Sequence, residues 1–104
     1  MRKYMILNGA DNVAVALETL PRGLALEIPE RGITVTLAAD IDFEHKFALS
    51  PIPAGSHVVK YGASIGAAMC DIAPGEHVHL HNLRTLMADF TAPDGAWSNR
   101  IESK

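Results

Sequence analysis

Ile52-Pro53-Ala54-Gly55-Ser56-His57-Val58 and Ile72-Ala73-Pro74-Gly75-Glu76-His77-Val78 share one grammar at a 20-residue offset: an apolar residue, a Pro/Gly turn, then the start of a β-compatible run. Proline presets φ and glycine accepts positive φ, so each stretch dictates a tight turn feeding a strand. The same turn stands at Leu20-Pro21-Arg22-Gly23, and a degenerate copy stands at Ile41-Asp42-Phe43-Glu44-His45-Lys46, with Glu44 in the glycine position. Turns this closely spaced predict a compact barrel or clip of short strands folded back on one another. Solenoid repeats are longer and more regular.

Outward from these turns, Tyr4 to Leu7, Val13 to Glu18, Leu24 to Ile28, Ile33 to Leu37, Phe47 to Leu49, His57 to Lys60 and His77 to His81 are short β-compatible runs bounded by Pro, Gly, Asn or Asp. Helix is scarce, and its best candidate is the small-residue stretch from Ala63 to Met69. The fold class expected is all-β, with one domain over residues 1–85. Residues 86–104 read as a tail without a strand period, in which Phe90 and Trp97 either pack back on the domain or anchor a partner surface.

Composition narrows the function classes. The 104 residues are 48% hydrophobic and 20% charged, with no apolar run long enough to span a bilayer. A formal net charge of -3, with nine scattered Lys and Arg, argues against a nucleic-acid or anionic-membrane binder while leaving room for a small anion held by local cations. Arg2-Lys3 precedes an apolar segment too short for a secretory signal, so a cytoplasmic location is expected. The single cysteine, Cys70, rules out an internal disulfide; beside Ala67-Ala68-Met69 it reads as a small buried hydrophobe rather than a nucleophile.

The chemistry-bearing feature is His77-Val78-His79-Leu80-His81. On a strand the three imidazoles project to one face and Val78 and Leu80 to the other. Imidazole binds borderline metals and titrates near neutrality, so the row can serve as metal ligands or a proton relay. Same-face neighbours lie roughly 6.5–7 Å apart at a strand rise of about 3.3 Å. One working histidine on a solvated face, a two-histidine metal site and a three-histidine site all stay open. His57 and His77 occupy equivalent places in the repeat and read as turn or surface histidines. His45 and Lys46 would face opposite sides of a strand, and Lys60 suits a carboxylate as a mobile point charge beside Tyr61-Gly62. Asp11-Asn12 reads as a turn former ahead of Val13.

Asp11-Asn12-Val13-Ala14-Val15-Ala16-Leu17, His45-Lys46-Phe47-Ala48-Leu49, Lys60-Tyr61-Gly62, Ile65-Gly66, Asp71-Ile72-Ala73-Pro74-Gly75 and Val78-His79-Leu80-His81-Asn82-Leu83-Arg84-Thr85 together resemble the SAF domain of the altronate and galactarate dehydratase family, which includes the small subunit of sulfolactate sulfo-lyase. The resemblance implies a β-clip fold shared with type III antifreeze proteins. It also implies a stand-alone small subunit of a hydro-lyase, inactive until joined by a separate large catalytic subunit. Such lyases act on small anionic hydroxy acids and depend on a divalent metal, expected to be iron, shared with or held by the large subunit. On that basis His79 and His81 are the expected catalytic and metal-contacting residues, and His45, Lys46 and Lys60 the expected substrate-binding ones. Association with a second copy of the chain is a further expected contact. The chain departs from the family pattern at Glu44, where glycine is usual, and at His77, where tryptophan is frequent. A non-catalytic module that positions a partner enzyme is the alternative.

Overall fold

Four tight turns organise the chain, and each closes with a backbone hydrogen bond from the fourth residue to the first: Leu24 to Pro21 at 3.2 Å, His45 to Asp42 at 2.9 Å, Ser56 to Pro53 at 2.9 Å and Glu76 to Ala73 at 3.1 Å. The third residue is left-handed in every case, with φ of 88° at Gly23, 70° at Glu44, 85° at Gly55 and 88° at Gly75. Positive φ at that position is the mark of a type II turn. The degenerate copy therefore keeps the geometry of the others, with Glu44 held in a conformation that glycine adopts more cheaply.

The residues before the turns pair the turns two by two. Leu20 and Ile41 exchange backbone hydrogen bonds of 2.8 Å, and Ile52 and Ile72 do the same at 2.8 Å. Gly23 donates to Leu37 as Gly55 donates to Ala68, and Glu44 donates to Ala16 as Gly75 donates to Ala48, all at 2.8 Å. The second half thus repeats the first, offset by 32 residues from Leu20 to Ile52 and by 31 from Ile41 to Ile72. The 20-residue likeness in the sequence is one turn matching its neighbour inside this larger duplication.

The computed structural model describes residues 2–85. Within them the strands are β1 (Tyr4–Met5), β2 (Val13–Ala16), β3 (Ala25–Ile28), β4 (Ile33–Thr36), β5 (Lys46–Ala48), β6 (His57–Lys60), β7 (Ala63–Ala68), β8 (His77–Val78) and β9 (Leu83–Arg84), with a 3-10 turn at Pro29–Arg31 and no α-helix. All pairings are antiparallel, in sheets ordered β1-β2-β5-β8, β3-β4 and β6-β7-β9. The all-β reading holds.

Alternation along β2 and β5 feeds two cores. Ala14, Ala16 and Phe47 pack with Leu20, Leu26, Ile28, Val35, Leu37 and Ile41, whereas Val13 and Ala48 pack with Ile52, Val58, Ile72 and Val78. Both cores are apolar side chains removed from water, the dominant stabilising term in a domain this small. Because β5 lies between them, its odd and even residues face different environments, which decides where His45 and Lys46 point.

Three expectations need correction. Ala63 to Met69 is not helical: its first six residues form β7, because pairing with β6 on one side and β9 on the other overrides the helix preference of its alanines. The run His77 to His81 is a strand only at His77–Val78, and a turn over the following residues leaves Leu80 76% exposed instead of opposite the imidazoles beside buried Val78. Cys70 is exposed, since β7 ends at Ala68 and the chain turns outward. Phe90 and Trp97 lie outside the described residues.

Candidate functional site: a histidine cluster beside two lysines

β5 and β8 pair Lys46 with Val78 and Phe47 with His77. The same register carried one residue outward sets His79 opposite His45, and the two rings stack at 4.3 Å between centroids, 16° from parallel. His77 completes the group: its ring lies 5.0 Å from that of His45 and 5.5 Å from that of His79. His45 Nδ1 and His77 Nε2 share a hydrogen bond of 2.8 Å. One ligand nitrogen from each of the three rings lies within 4.8 Å of the other two. The third imidazole thus comes from the residue that leads into the neighbouring strand β5, which spacing along one strand does not reveal.

Asn82 sets the positions of His77 and His79. This buried side chain donates from Nδ2 to the His77 carbonyl at 2.9 Å and accepts from the His79 N–H at 3.0 Å through Oδ1. It closes the turn that ends β8 and carries His79 over His45. His81, on the same turn, is exposed and stands 5.3 Å from His77, tilted by 35°, outside the trio.

Burial first, then the positive potential of His45, His81 and His79, holds the His77 imidazole below its ordinary 6.5, against a partial pull upward from Asp42. Burial likewise lowers His79, helped by His45, Lys46 and His81. Both rings are therefore neutral near pH 7, with lone pairs available for a metal or a proton.

Lys46 lies on the face of β5 away from His45, yet close enough to depress His79. Burial, then Lys60, lowers Lys46 itself. Neither lysine makes an ion pair among the described residues. Lys60 sits 5.5 Å from the Tyr61 ring and lines a cleft of about 290 Å³ with Met5, Leu7, Val15, Glu44 and Tyr61. A second cleft, about 380 Å³, opens beside His77 and His81 and is lined by Cys70, Glu76 and Asn82. A larger, mostly apolar cleft at the Ile52–Ile72 bridge shares Glu76 with the second cleft and is lined by none of these histidines or lysines.

Asp11 and Asn12 do more than start a strand. Asp11 Oδ1 accepts from the Gly62 N–H at 2.8 Å; Asn12 accepts from the Val59 N–H at 2.8 Å and donates to the His57 carbonyl at 3.0 Å. They clamp the β6–β7 hairpin and so fix the base of Lys60. His57 itself bonds Ser64 at 2.8 Å and stays apart from the cluster. Gly66 admits β9: a Cβ there would fall 2.3 Å from the Arg84 carbonyl oxygen.

The fold and site define a class: a small antiparallel β-domain, internally duplicated, that gathers imidazoles and amines suited to an acid or a metal ion. The family model for the altronate/galactarate dehydratase SAF domain matches residues 2–86, and the chain belongs to that family. It is 47% identical over 88 residues to an altronate dehydratase of Escherichia coli (strain K12), covering 85% of this chain and 17% of that protein. An altronate dehydratase of Bacillus subtilis is 37% identical over 90 residues, 86% of this chain and 18% of its own length. A (2R)-sulfolactate sulfo-lyase subunit alpha of Paracoccus pantotrophus is 45% identical over 51 residues, 49% of this chain and 76% of that subunit. The chain therefore spans under a fifth of the dehydratases it resembles. Among the described residues no helix is long and apolar enough to cross a membrane.

Proposed function

We propose that this chain is the SAF part of a lyase that acts with a larger catalytic portion, eliminating water from a sugar acid such as altronate or galactarate, or sulfite from sulfolactate. The observation that carries the reading is the meeting of His45, His77 and His79 beside Lys46, with Lys60 next to it. The relatives' names support the reaction class, and the small share of each dehydratase that is matched supports the larger portion.

In such an elimination a base removes the proton next to the carboxylate, its C–H electron pair forms the double bond, and the β-substituent leaves with its own pair. Hydroxide leaving in this way takes a proton and departs as water; a sulfonate group departs as sulfite. Lys46 and Lys60 hold the carboxylate as point charges. His81, exposed and opening on the cleft beside His77, is the group free to carry a proton to or from the reacting atoms. A divalent metal, iron by the family resemblance, would stabilise the carbanion-like state as a Lewis acid, and the three imidazoles of the cluster are a donor set that fits one.

The test is reconstitution of the chain with the larger portion, supplied with Fe²⁺ and offered altronate, galactarate and sulfolactate in turn. Turnover of one of them that needs both components, and that falls in Lys60→Ala, supports the reading. Full turnover by the larger portion alone refutes it. Full turnover in Lys60→Ala and His81→Ala alike reduces the chain to an assembly module.

A further inference from the structure

We infer that this chain by itself holds one divalent cation of the borderline class, Fe²⁺, Co²⁺ or Zn²⁺, through His45, His77 and His79, with His81 outside the ligand set and Asn82 as a positioning residue. The inference deepens the reading above by assigning the ion to this chain instead of the larger portion. Its test needs neither substrate nor turnover, so the two can fail separately.

Three near-parallel rings, 9–16° apart, present one nitrogen each within 4.8 Å of the others. Bonds of about 2.0–2.1 Å to one ion require nitrogens roughly 3–3.5 Å apart, so a shift on the order of an ångström, with the stacked rings turned until each ring plane contains the ion, completes the site. His45 and His77 already meet at 2.8 Å. No carboxylate belongs to the group, and an all-imidazole set selects borderline metals over Mg²⁺ or Ca²⁺, which take oxygen ligands. Three protein ligands also leave a position open for a substrate oxygen.

Asn82 supplies the rigidity such a site needs. His79 lies beyond the end of β8, and the two Asn82 hydrogen bonds to the backbone of His77 and His79 hold it over His45. His77, which departs from the family pattern, is a ligand in this assignment; His81, which matches it, is not.

The experiment titrates Co²⁺ and Zn²⁺ into the purified full chain, following the Co²⁺ visible spectrum and the heat of Zn²⁺ binding, with circular dichroism as a check on folding. The wild type is expected to bind one ion, and His45→Ala, His77→Ala and His79→Ala each to lose more than about 100-fold in affinity, beyond the 10–100-fold typical of losing a supporting residue. Asn82→Ala is expected to lose about 10–100-fold with an altered Co²⁺ spectrum, as befits a supporting residue. His81→Ala and His57→Ala are expected to bind as the wild type does. If a variant fails the folding check, the corresponding His→Gln variant replaces it under the same expectation. Absence of saturable binding by the folded wild type overturns the inference. So does binding that survives in His77→Ala or is lost in His81→Ala.

Discussion

His79 lies ring to ring with His45, 4.3 Å between centroids, although the strand that leads to His79 ends at Val78. The contact depends on a turn pinned by Asn82 and on His45 emerging from the Glu44 turn. The site therefore rests on the turns that build the fold.

Glu44 pays a left-handed backbone, φ 70°, where its three counterparts are glycine. The cost to an L-residue is roughly 1–2 kcal/mol, partly offset because glycine loses about 0.5–1 kcal/mol more backbone freedom on folding. Glu44→Gly is expected to stabilise the protein by about 0.5–1 kcal/mol, raising Tm by a few degrees. Urea unfolding with an unchanged m-value would measure it, and a lowered midpoint would contradict it.

Gly66 lets β9 lie against β7. An added Cβ would meet the Arg84 carbonyl oxygen at 2.3 Å and Leu83 Cδ1 at 2.8 Å. Backbone cannot swing aside as a flexible side chain can, so Gly66→Ala is expected to cost about 2 kcal/mol or more, at the upper end of overpacking effects. Thermal unfolding would register the loss, and an unchanged Tm would refute the steric account.

At the N-terminal edge Tyr4 donates its hydroxyl to Glu30 Oε1 at 2.7 Å, and Arg2 donates to Glu30 Oε2 at 2.8 Å. The Tyr4 bond, then backbone hydrogen bonding and Arg2, lowers the Glu30 carboxyl from 4.5 to about 2. A depressed carboxyl stabilises the fold fully above its unfolded value, and the contribution fades as pH falls from about 4.5 toward about 2. Tyr4→Phe is expected to move Glu30 back toward 4.5, read by carboxyl NMR titration, and to flatten the acid dependence of stability in that window. A Glu30 titration unmoved by Tyr4→Phe would show that the hydroxyl is not the dominant cause.

Asn12 joins β2 to the hairpin that carries Lys60 through bonds to the Val59 N–H and the His57 carbonyl. Its removal takes the side-chain partner from the part-buried Val59 N–H, while the exposed His57 carbonyl turns to water, so the cost is expected at the low end of the roughly 1–3 kcal/mol of a fully buried group. Asn12→Ala is expected to speed hydrogen exchange at Val59 while leaving exchange in β3 and β4 slow. Equal acceleration in both places would mean global destabilisation instead of a local clamp.

Much of this architecture is legible in the residues. The turns at Pro21, Pro53 and Ala73 announce themselves through Pro and Gly, and His57–Lys60 is a strand over its expected span. β7 is not legible because Ala63–Ala68 lacks alternation and owes its extended form to neighbours on both sides. Histidine spacing singles out the run from His77 to His81 and the family resemblance favours His79 with His81, whereas the contacts join His77 and His79 to His45. Register between β5 and β8 is a tertiary fact that one-strand spacing cannot carry. Asp11 and Asn12 are short polar residues whose local reading, a turn former, hides bonds made far along the chain.

The most direct measurement of the central claim is turnover of the reconstituted lyase carrying His79→Ala, compared with the wild type at equal folding and equal association with the larger portion. A group that serves the reacting centre is worth about 10²–10⁴-fold, so a fall in kcat of at least about 100-fold is predicted. Unchanged kcat in that variant would contradict a catalytic role for the histidine cluster.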